Sequence, residues 1–180
     1  LKEEEHNYKF VALDTITALE EMALELAAKR YQESPMGKNW QGTGKDILKL
    51  ANGSGYYWAR LAVQEILGWF ENQSFNLILV GHVKDKSIAE GGTELNVKAL
   101  DLSGKTSNIL SAKSDAICYL YREVDTGNLM ANFGDMNSVL TGARMPHLAG
   151  KTILLAERQQ QDNGNWQIKT YWENIFPSLK

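Results

Sequence analysis

An acidic residue follows the first apolar run of the chain. Residues 10–13 are continuously apolar, Asp14 comes next, and Thr15 follows it. A short apolar run that ends in an acid is typical of a strand buried on both faces of a parallel sheet. A carboxylate fixed at the end of such a strand can hold a hydrated Mg²⁺ beside a nucleoside triphosphate. The alternative is that Asp14 caps the helix that begins at Thr15.

A second apolar run also ends in a polar residue. Residues 76–80 are predicted to form a strand, which ends at Gly81 and His82. A neutral imidazole both donates and accepts a hydrogen bond, so His82 could sense a phosphate or orient water; the alternative is a structural strand-end histidine. Lys84 and Lys86 follow directly and could reach phosphate, or could lie on a solvated loop.

Arg144, between Gly142 and Pro146, is the best candidate for an arginine finger. Nucleotide hydrolysis is often completed by a guanidinium from an adjacent subunit. The alternative is a structural ion pair. Cys118 has no cysteine partner in this sequence and lies in an apolar run, so we expect a buried structural thiol.

Residues 32–55 form a long stretch rich in glycine and lysine, with one short helical turn predicted at 46–50. Loops of this length are usually functional or mobile. Lys38, Lys45 and Lys49 offer cations for phosphates, and Trp40 offers a ring for stacking on a base, which suits sequence-independent binding of single-stranded DNA. A flexible surface loop is the alternative.

Hydrophobic periodicity predicts the elements that position these residues. Helices are expected at residues 15–31 and 56–73, and a closing amphipathic helix at 166–176. Further strands are expected at 95–99, 116–123, 129–133 and 151–157, with a hairpin turn at 125–128. The order strand, helix, strand predicts an α/β fold with right-handed crossovers, in which ligands bind at the carboxyl ends of the strands. Asp14 and His82 should then face one crevice.

Length and composition predict one soluble domain spanning residues 1–180, with 43% hydrophobic residues available for a core. We expect neither a signal peptide nor a membrane span, because the first residues are acidic and the sequence has no run of eighteen apolar residues. The net charge of −3 gives no general attraction to nucleic acid. A reducing cytoplasm fits a single thiol.

The motifs together resemble a known family. Residues 10–19 look like the Walker B segment of RecA-like P-loop ATPases, and residues 77–82 resemble the following strand, whose terminal side chain senses the γ-phosphate. With residues 81–86, 114–117 and 142–144, they resemble the small phage-encoded ATPases of recombination and single-strand annealing. The resemblance covers roughly residues 8–155. It implies a mostly parallel sheet flanked by helices, with an antiparallel C-terminal strand extension.

The same resemblance implies cofactors and partners. ATP and Mg²⁺ would bind at Asp14, Thr15, Lys84 and Lys86, single-stranded DNA would be the partner, and the chains would form a homo-oligomeric ring or filament. Phage or prophage origin would place the protein in the cytoplasm of a bacterial host.

One element of that family is not found among the 180 residues, which contain no G-x-x-x-x-G-K-[ST] loop. Gly104-Lys105-Thr106 matches only the end of the motif, because Ala99 stands where its first glycine should be. We therefore expect the phosphate-binding loop, and the catalytic glutamate of an intervening strand, upstream of Leu1. Two alternatives remain: a non-hydrolysing scaffold with a degenerate P-loop fold, and another P-loop motor such as a helicase or packaging ATPase.

Overall fold

The computed structural model describes residues 8–73, 76–90, 93–134 and 139–179; of these, the side chains of residues 86, 88–90, 93–95 and 179 lie outside the description. Short 3₁₀ turns at Ala51–Gly53, Trp172–Asn174 and Pro177–Leu179 accompany the helices and strands. In chain order, the helices and strands are β1 (Phe10–Asp14), α1 (Ile16–Glu33), α2 (Gly44–Ile47), α3 (Ser54–Glu71), β2 (Asn76–Val80), β3 (Val83–Glu90), β4 (Thr93–Leu100), α4 (Thr106–Lys113), β5 (Ala116–Ile117), β6 (Tyr119–Arg122), β7 (Leu129–Asn132), β8 (Gly142–Ala143), β9 (Thr152–Gln160) and β10 (Trp166–Thr170).

The chain divides into two compact units. The first comprises residues 1–84 and 100–109, and the second comprises residues 85–99 and 110–180. Within the described residues, no helix is long and apolar enough to cross a membrane.

The first unit contains the predicted strand–helix–strand arrangement. β1 and β2 pair in parallel, in register from Phe10 opposite Asn76 to Asp14 opposite Val80. α1 and α3 pack against each other, and both helices bury small residues: Ala23 and Ala27 of α1 and Ala62 of α3 are fully buried. Small side chains let the two helix axes approach closely. The predicted helices at 15–31 and 56–73 are confirmed to within two residues at each end.

The segment between α1 and α3 is more structured than the sequence suggested. α2 begins after Thr43, and Thr43 and Asp46 form a capping box. Gly37 is buried, and a Cβ on it would lie 2.0 Å from the carbonyl oxygen of Tyr31. Such close backbone approaches are those expected of a packed segment rather than of a solvated loop.

The second unit contains an antiparallel sheet with the strand order β10-β9-β7-β6. Ala131, Phe133, Leu148 and Leu155 form its core. Cys118 packs against this core and is partly buried, and burial raises the pKa of its thiol. β5 and β8 form a separate antiparallel pair, and β3 pairs with β4.

The expectation of a mostly parallel sheet is wrong for the described residues. β1 and β2 are the one parallel pair among strands whose direction is described, and a single parallel bridge joins Lys98 to Val139. In the second unit, β6 pairs antiparallel with β7 and β9 pairs antiparallel with β10 because a short turn connects each pair, whereas parallel pairing needs a longer crossover. The antiparallel C-terminal part of the prediction agrees with the structure, and so does the hairpin turn at 125–128, where Gly127 has φ +70°.

Two further expectations need correction, and one helix was not predicted. The closing helix at 166–176 is wrong, since its first half is β10 and its second half contains a 3₁₀ turn. The strand expected at 116–123 is two short strands, because β5 pairs with β8 while β6 pairs with β7. The sequence also gave no indication of α4, which begins at Thr106, next to Gly104 at φ +55°.

Candidate functional site

Asp14 is the last residue of β1 and lies opposite Val80, the last residue of β2. The carboxyl ends of the two parallel strands therefore lie side by side, and Gly81 and His82 follow at the same edge. Asp14 is exposed, and its carboxylate makes no hydrogen bond or ion pair within the described residues. The peptide bond between Asp14 and Thr15 is cis. The carboxylate of Asp14 lies at the edge of the parallel strands, which is where ligands bind in α/β folds.

The helix cap belongs to Thr15 and not to Asp14. Thr15 has extended backbone angles, and its side-chain oxygen accepts a hydrogen bond from the backbone N–H of Ala18 at 3.1 Å. This is the geometry of an N-cap. The capping alternative for Asp14 is therefore wrong.

Gly81 brings the end of β2 close to α1. A Cβ at this position would lie 2.4 Å from Cδ1 of Leu100 and 2.8 Å from Cγ2 of Ile16. No larger residue fits without a shift of one of these side chains. His82, the next residue, is exposed, and its backbone carbonyl accepts a hydrogen bond from the N–H of Asp101 at 2.8 Å.

Lys84 is engaged by neighbouring groups. Its Nζ lies 2.9 Å from Oδ1 of Asp101 and donates to the carbonyl oxygen of Leu102 at 2.9 Å. The ammonium would have to leave Asp101, or share it, to reach a phosphate. The side chain of Lys86 lies outside the described residues.

Arg144 follows β8 in the second unit and forms a structural ion pair, which was the alternative to an arginine finger. Its Nη1 lies 3.0 Å from Oδ1 of Asp115, and its Nη2 donates to the carbonyl oxygen of Ala112 at 2.9 Å. Both charged side chains are more than half exposed, so this ion pair is accessible to water and weak. The arginine-finger role stays a prediction.

The four residues expected to bind DNA have different environments. Lys38 and Lys45 are exposed and unpaired among the described residues. Lys49 forms an ion pair with Asp46 at 2.9 Å. Trp40 is half-buried, with its ring centroid 5.3 Å from that of Tyr31 in an edge-to-face contact. Lys38 and Lys45 therefore keep the exposed ammonium groups expected of a phosphate-binding surface, whereas Trp40 also has a packing role.

Sequence reasoning missed Thr17 and Glu20, which hold the segment after β4. Thr17 donates from Oγ1 to the carbonyl of Asp101 at 3.2 Å, and Glu20 accepts from the N–H of Ser103 at 2.9 and 3.1 Å. Glu20 is only 8% exposed. The signal was present in the sequence, because Glu20 follows Ile16 by four residues on the buried face of α1.

No cluster of three or more His, Cys, Asp or Glu side chains occurs among the described residues. A multidentate metal site is therefore not found in that part of the chain. A single carboxylate such as Asp14 fits a different type of site, in which Mg²⁺ keeps most of its water ligands and is held through one or two carboxylates and the phosphates of the nucleotide.

A family model described as an AAA domain matches residues 1–157. That match covers most of the chain, which therefore belongs to the AAA domain family. Membership indicates a P-loop-type NTPase of the α/β class, with a nucleotide-binding, ATPase-like function. No curated protein and no solved structure matches the chain.

Proposed function

We propose that this chain forms the magnesium-binding edge of an ATPase, with Asp14 holding the hydrated ion. The proposal depends on the exposed carboxylate of Asp14 at the end of β1, which has no hydrogen-bond or ion-pair partner in the described part of the chain. Because Thr15 supplies the helix cap, the carboxylate is not needed to start α1. Bound there, Mg²⁺ would neutralise charge that develops on the phosphates during hydrolysis.

The remaining residues would act around that ion during attack of water on the γ-phosphate. His82, at the neighbouring strand end, would orient the water or sense the phosphate, because an imidazole can both donate and accept a hydrogen bond. Lys84 and Lys86 would contribute charge near the phosphates, and Arg144 would act from an adjacent subunit of a homo-oligomer.

Steady-state ATP turnover by the full-length protein tests this proposal. Asp14→Ala should lower kcat at least about 100-fold, because the ion loses its anchor, a loss comparable to removing one preorganised electrostatic group. Asp162→Asn is the matched control, since Asp162 is an exposed aspartate in the turn before β10. Normal turnover by Asp14→Ala would contradict the proposal. ATP binding without turnover in the unaltered protein would support the scaffold alternative.

We also propose that the segment between α1 and α3 contacts single-stranded DNA in recombination or annealing. The exposed ammonium groups of Lys38 and Lys45 support this role. Lys38→Gln and Lys45→Gln should each weaken binding to an oligothymidylate, and each should reduce the slope of log Kd against log salt by about 0.7. Fluorescence anisotropy at several salt concentrations measures both quantities.

Lys29→Gln is the control for that measurement, because Lys29 is an exposed lysine of α1 outside the segment. Equal effects of all three substitutions would mean that DNA senses only the general charge of the protein. DNA-stimulated turnover without unwinding or translocation would distinguish a recombinase from a motor.

A further inference from the structure

Two side chains of α1 fix the position of the segment that follows β4. Glu20 accepts the N–H of Ser103 through both carboxylate oxygens, at 2.9 and 3.1 Å, and Thr17 donates to the carbonyl of Asp101 at 3.2 Å. Glu20 is 92% buried (8% exposed). A carboxylate that is removed from water needs such partners, and a substitution that removes them leaves a polar group unsatisfied. The contact therefore holds the segment to the helix.

The same segment holds the two polar residues that follow β2. The N–H of Asp101 donates to the carbonyl of His82 at 2.8 Å. Lys84 donates to the carbonyl of Leu102 at 2.9 Å and pairs with the carboxylate of Asp101. Residues 101–103 are therefore hydrogen-bonded to two parts of the chain. Thr17 and Glu20 of α1 bind them, and so do His82 and Lys84, which follow β2.

Close packing around Gly81 restricts movement of the segment that follows β4. Leu100, just before the segment, and Ile16, at the start of α1, both lie against the Cα of Gly81. β2, α1 and the segment therefore meet at one point beside the end of β1. A shift of residues 101–103 would be transmitted to the backbone of His82 through the hydrogen bond from the N–H of Asp101.

We propose that Glu20 is a positioning residue, which sets the place of His82 relative to Asp14 through Ser103 and Asp101. The inference rests on the proposed function, in which His82 acts on the γ-phosphate or its attacking water. Asp14 precedes the first turn of α1, and Glu20 lies in its second turn. The position of α1 therefore affects both Asp14, at the end of β1, and His82, after the end of β2. Glu20 itself touches no substrate. Functional groups need such support because an error of about 1 Å can lower a rate by about 100-fold.

The first test follows the imidazole of His82 without nucleotide. The 180 residues contain three histidines, and comparison with a His82→Gln variant identifies the His82 resonances in the full-length protein labelled with isotopes at histidine. Glu20→Gln should shift the His82 ring resonances, because an amide cannot accept the Ser103 N–H through both of its atoms. Glu21→Gln, the exposed neighbour on α1, should leave them unchanged. Unchanged His82 resonances in Glu20→Gln would overturn the proposal.

The second test separates positioning from general stability. Glu20→Gln should lower kcat about tenfold and leave KM for ATP unchanged, whereas Glu21→Gln should change neither. In a His82→Gln background, Glu20→Gln should cause no further loss, since the two residues act through one contact chain. Independent, multiplicative losses would contradict the proposal. If Asp14→Ala turns over ATP normally, the proposed function fails, while the resonance measurement still decides whether Glu20 positions His82.

A second pair of variants covers the case in which Glu20→Gln does not fold. Thr17→Val removes the hydrogen bond to Asp101 at nearly constant volume, and Thr17→Ser keeps the hydroxyl. Thr17→Val should shift the His82 resonances and lower kcat, and Thr17→Ser should restore both. Equal behaviour of the two variants would count against the proposal.

Discussion

Asp14 and Thr15 show how two adjacent residues of similar capping preference can have separate roles. Both types are favoured at helix N-caps, so their order in the sequence does not decide which one caps α1. The structure decides it, because the backbone of Thr15 is extended and its oxygen accepts the N–H of Ala18. Asp14 remains in β1, with its carboxylate uncommitted among the described residues. Thr15 is therefore the structural residue that caps α1, and Asp14 is the candidate metal ligand.

Asp46 should make the stability of the protein depend on pH in the acidic range. The ammonium of Lys49, together with the backbone N–H and hydroxyl of Thr43, lowers the pKa of Asp46 from 3.8 to about 2. A lowered carboxyl pKa adds stability that is complete above the ordinary value of 3.8 and is lost as the pH falls through about 2. Asp46→Ala should therefore lower Tm at pH 6, and the difference from the unaltered protein should shrink between pH 4 and pH 2.

Thermal unfolding followed by circular dichroism across that pH range measures the difference. Asp162→Ala is the control, because Asp162 is exposed and has no ion pair among the described residues. The effect should be small, since the Lys49 ammonium is well exposed to solvent. A difference in Tm that does not change with pH would mean that Asp46 acts only through the geometry of the turn.

At the scale of elements, the segment at 166–176 shows how strand pairing overrides apolar spacing. Ile168, Tyr171, Trp172 and Ile175 recur at helical intervals, yet Trp166 to Thr170 pair with β9. Ile168 is 64% exposed, so that spacing does not mark a buried helix face. The turn that reverses the chain contains Gly164 at φ +81°, a conformation that favours glycine. Residues 166–170 form a strand because their backbone groups can pair with those of β9 once this turn brings them alongside it.

Two glycines should respond in opposite directions to the same substitution. Gly68 lies within α3 and Gly127 lies at the turn between β6 and β7, and a Cβ would meet nothing within 4 Å at either position. Gly68→Ala should stabilise the fold by about 0.5–1 kcal/mol, because alanine loses less backbone entropy in a helix. Gly127→Ala should destabilise it by roughly 1–2 kcal/mol, because φ is +70° there.

Urea unfolding at neutral pH, with unchanged m values, measures both differences. Because an added Cβ would meet no other residue within 4 Å at either site, clashes with neighbouring residues do not contribute, and each glycine serves as the control for the other. A loss of stability in Gly68→Ala would indicate that this face of α3 has a packing partner beyond the described contacts.

At the scale of the whole molecule, the match to the AAA domain family extends over residues 1–157 and so reaches into both compact units. Family membership gives the class of chemistry, while the described strands pair mostly antiparallel. The two observations are compatible, since function depends on the geometry of a site and the parallel pair supplies the edge at which Asp14 lies.

Nucleotide binding should stabilise the full-length protein in a magnesium-dependent way. Mg-ATP at about 100 times its Kd should raise the free energy of unfolding by about 2.7 kcal/mol, because the ligand binds only the folded state. Removal of the metal with EDTA, or Asp14→Ala, should reduce this gain. Differential scanning calorimetry with and without Mg²⁺ measures it, with Asp162→Asn as the control. An equal gain in Asp14→Ala would place the ion at other ligands.

The sequence alone determined those parts of the fold that depend on local patterns. β1, α1, α3, β2 and the hairpin at 125–128 follow from runs of apolar residues, helical periodicity and turn residues, and the structure confirms them. The candidate at Asp14 followed from the same information, because a strand and a helix that meet at an acid can be recognised within ten residues.

Tertiary structure decided the remainder, because it depends on contacts between distant segments. Whether residues 166–170 form a strand depends on β9, and whether residues 116–123 form one strand or two depends on β7 and β8. Glu20 accepts its hydrogen bonds from Ser103, which is 83 positions away in the sequence, and Lys84 forms its ion pair with Asp101. Such interactions form only when the chain folds and brings distant segments together, so local propensity does not predict them.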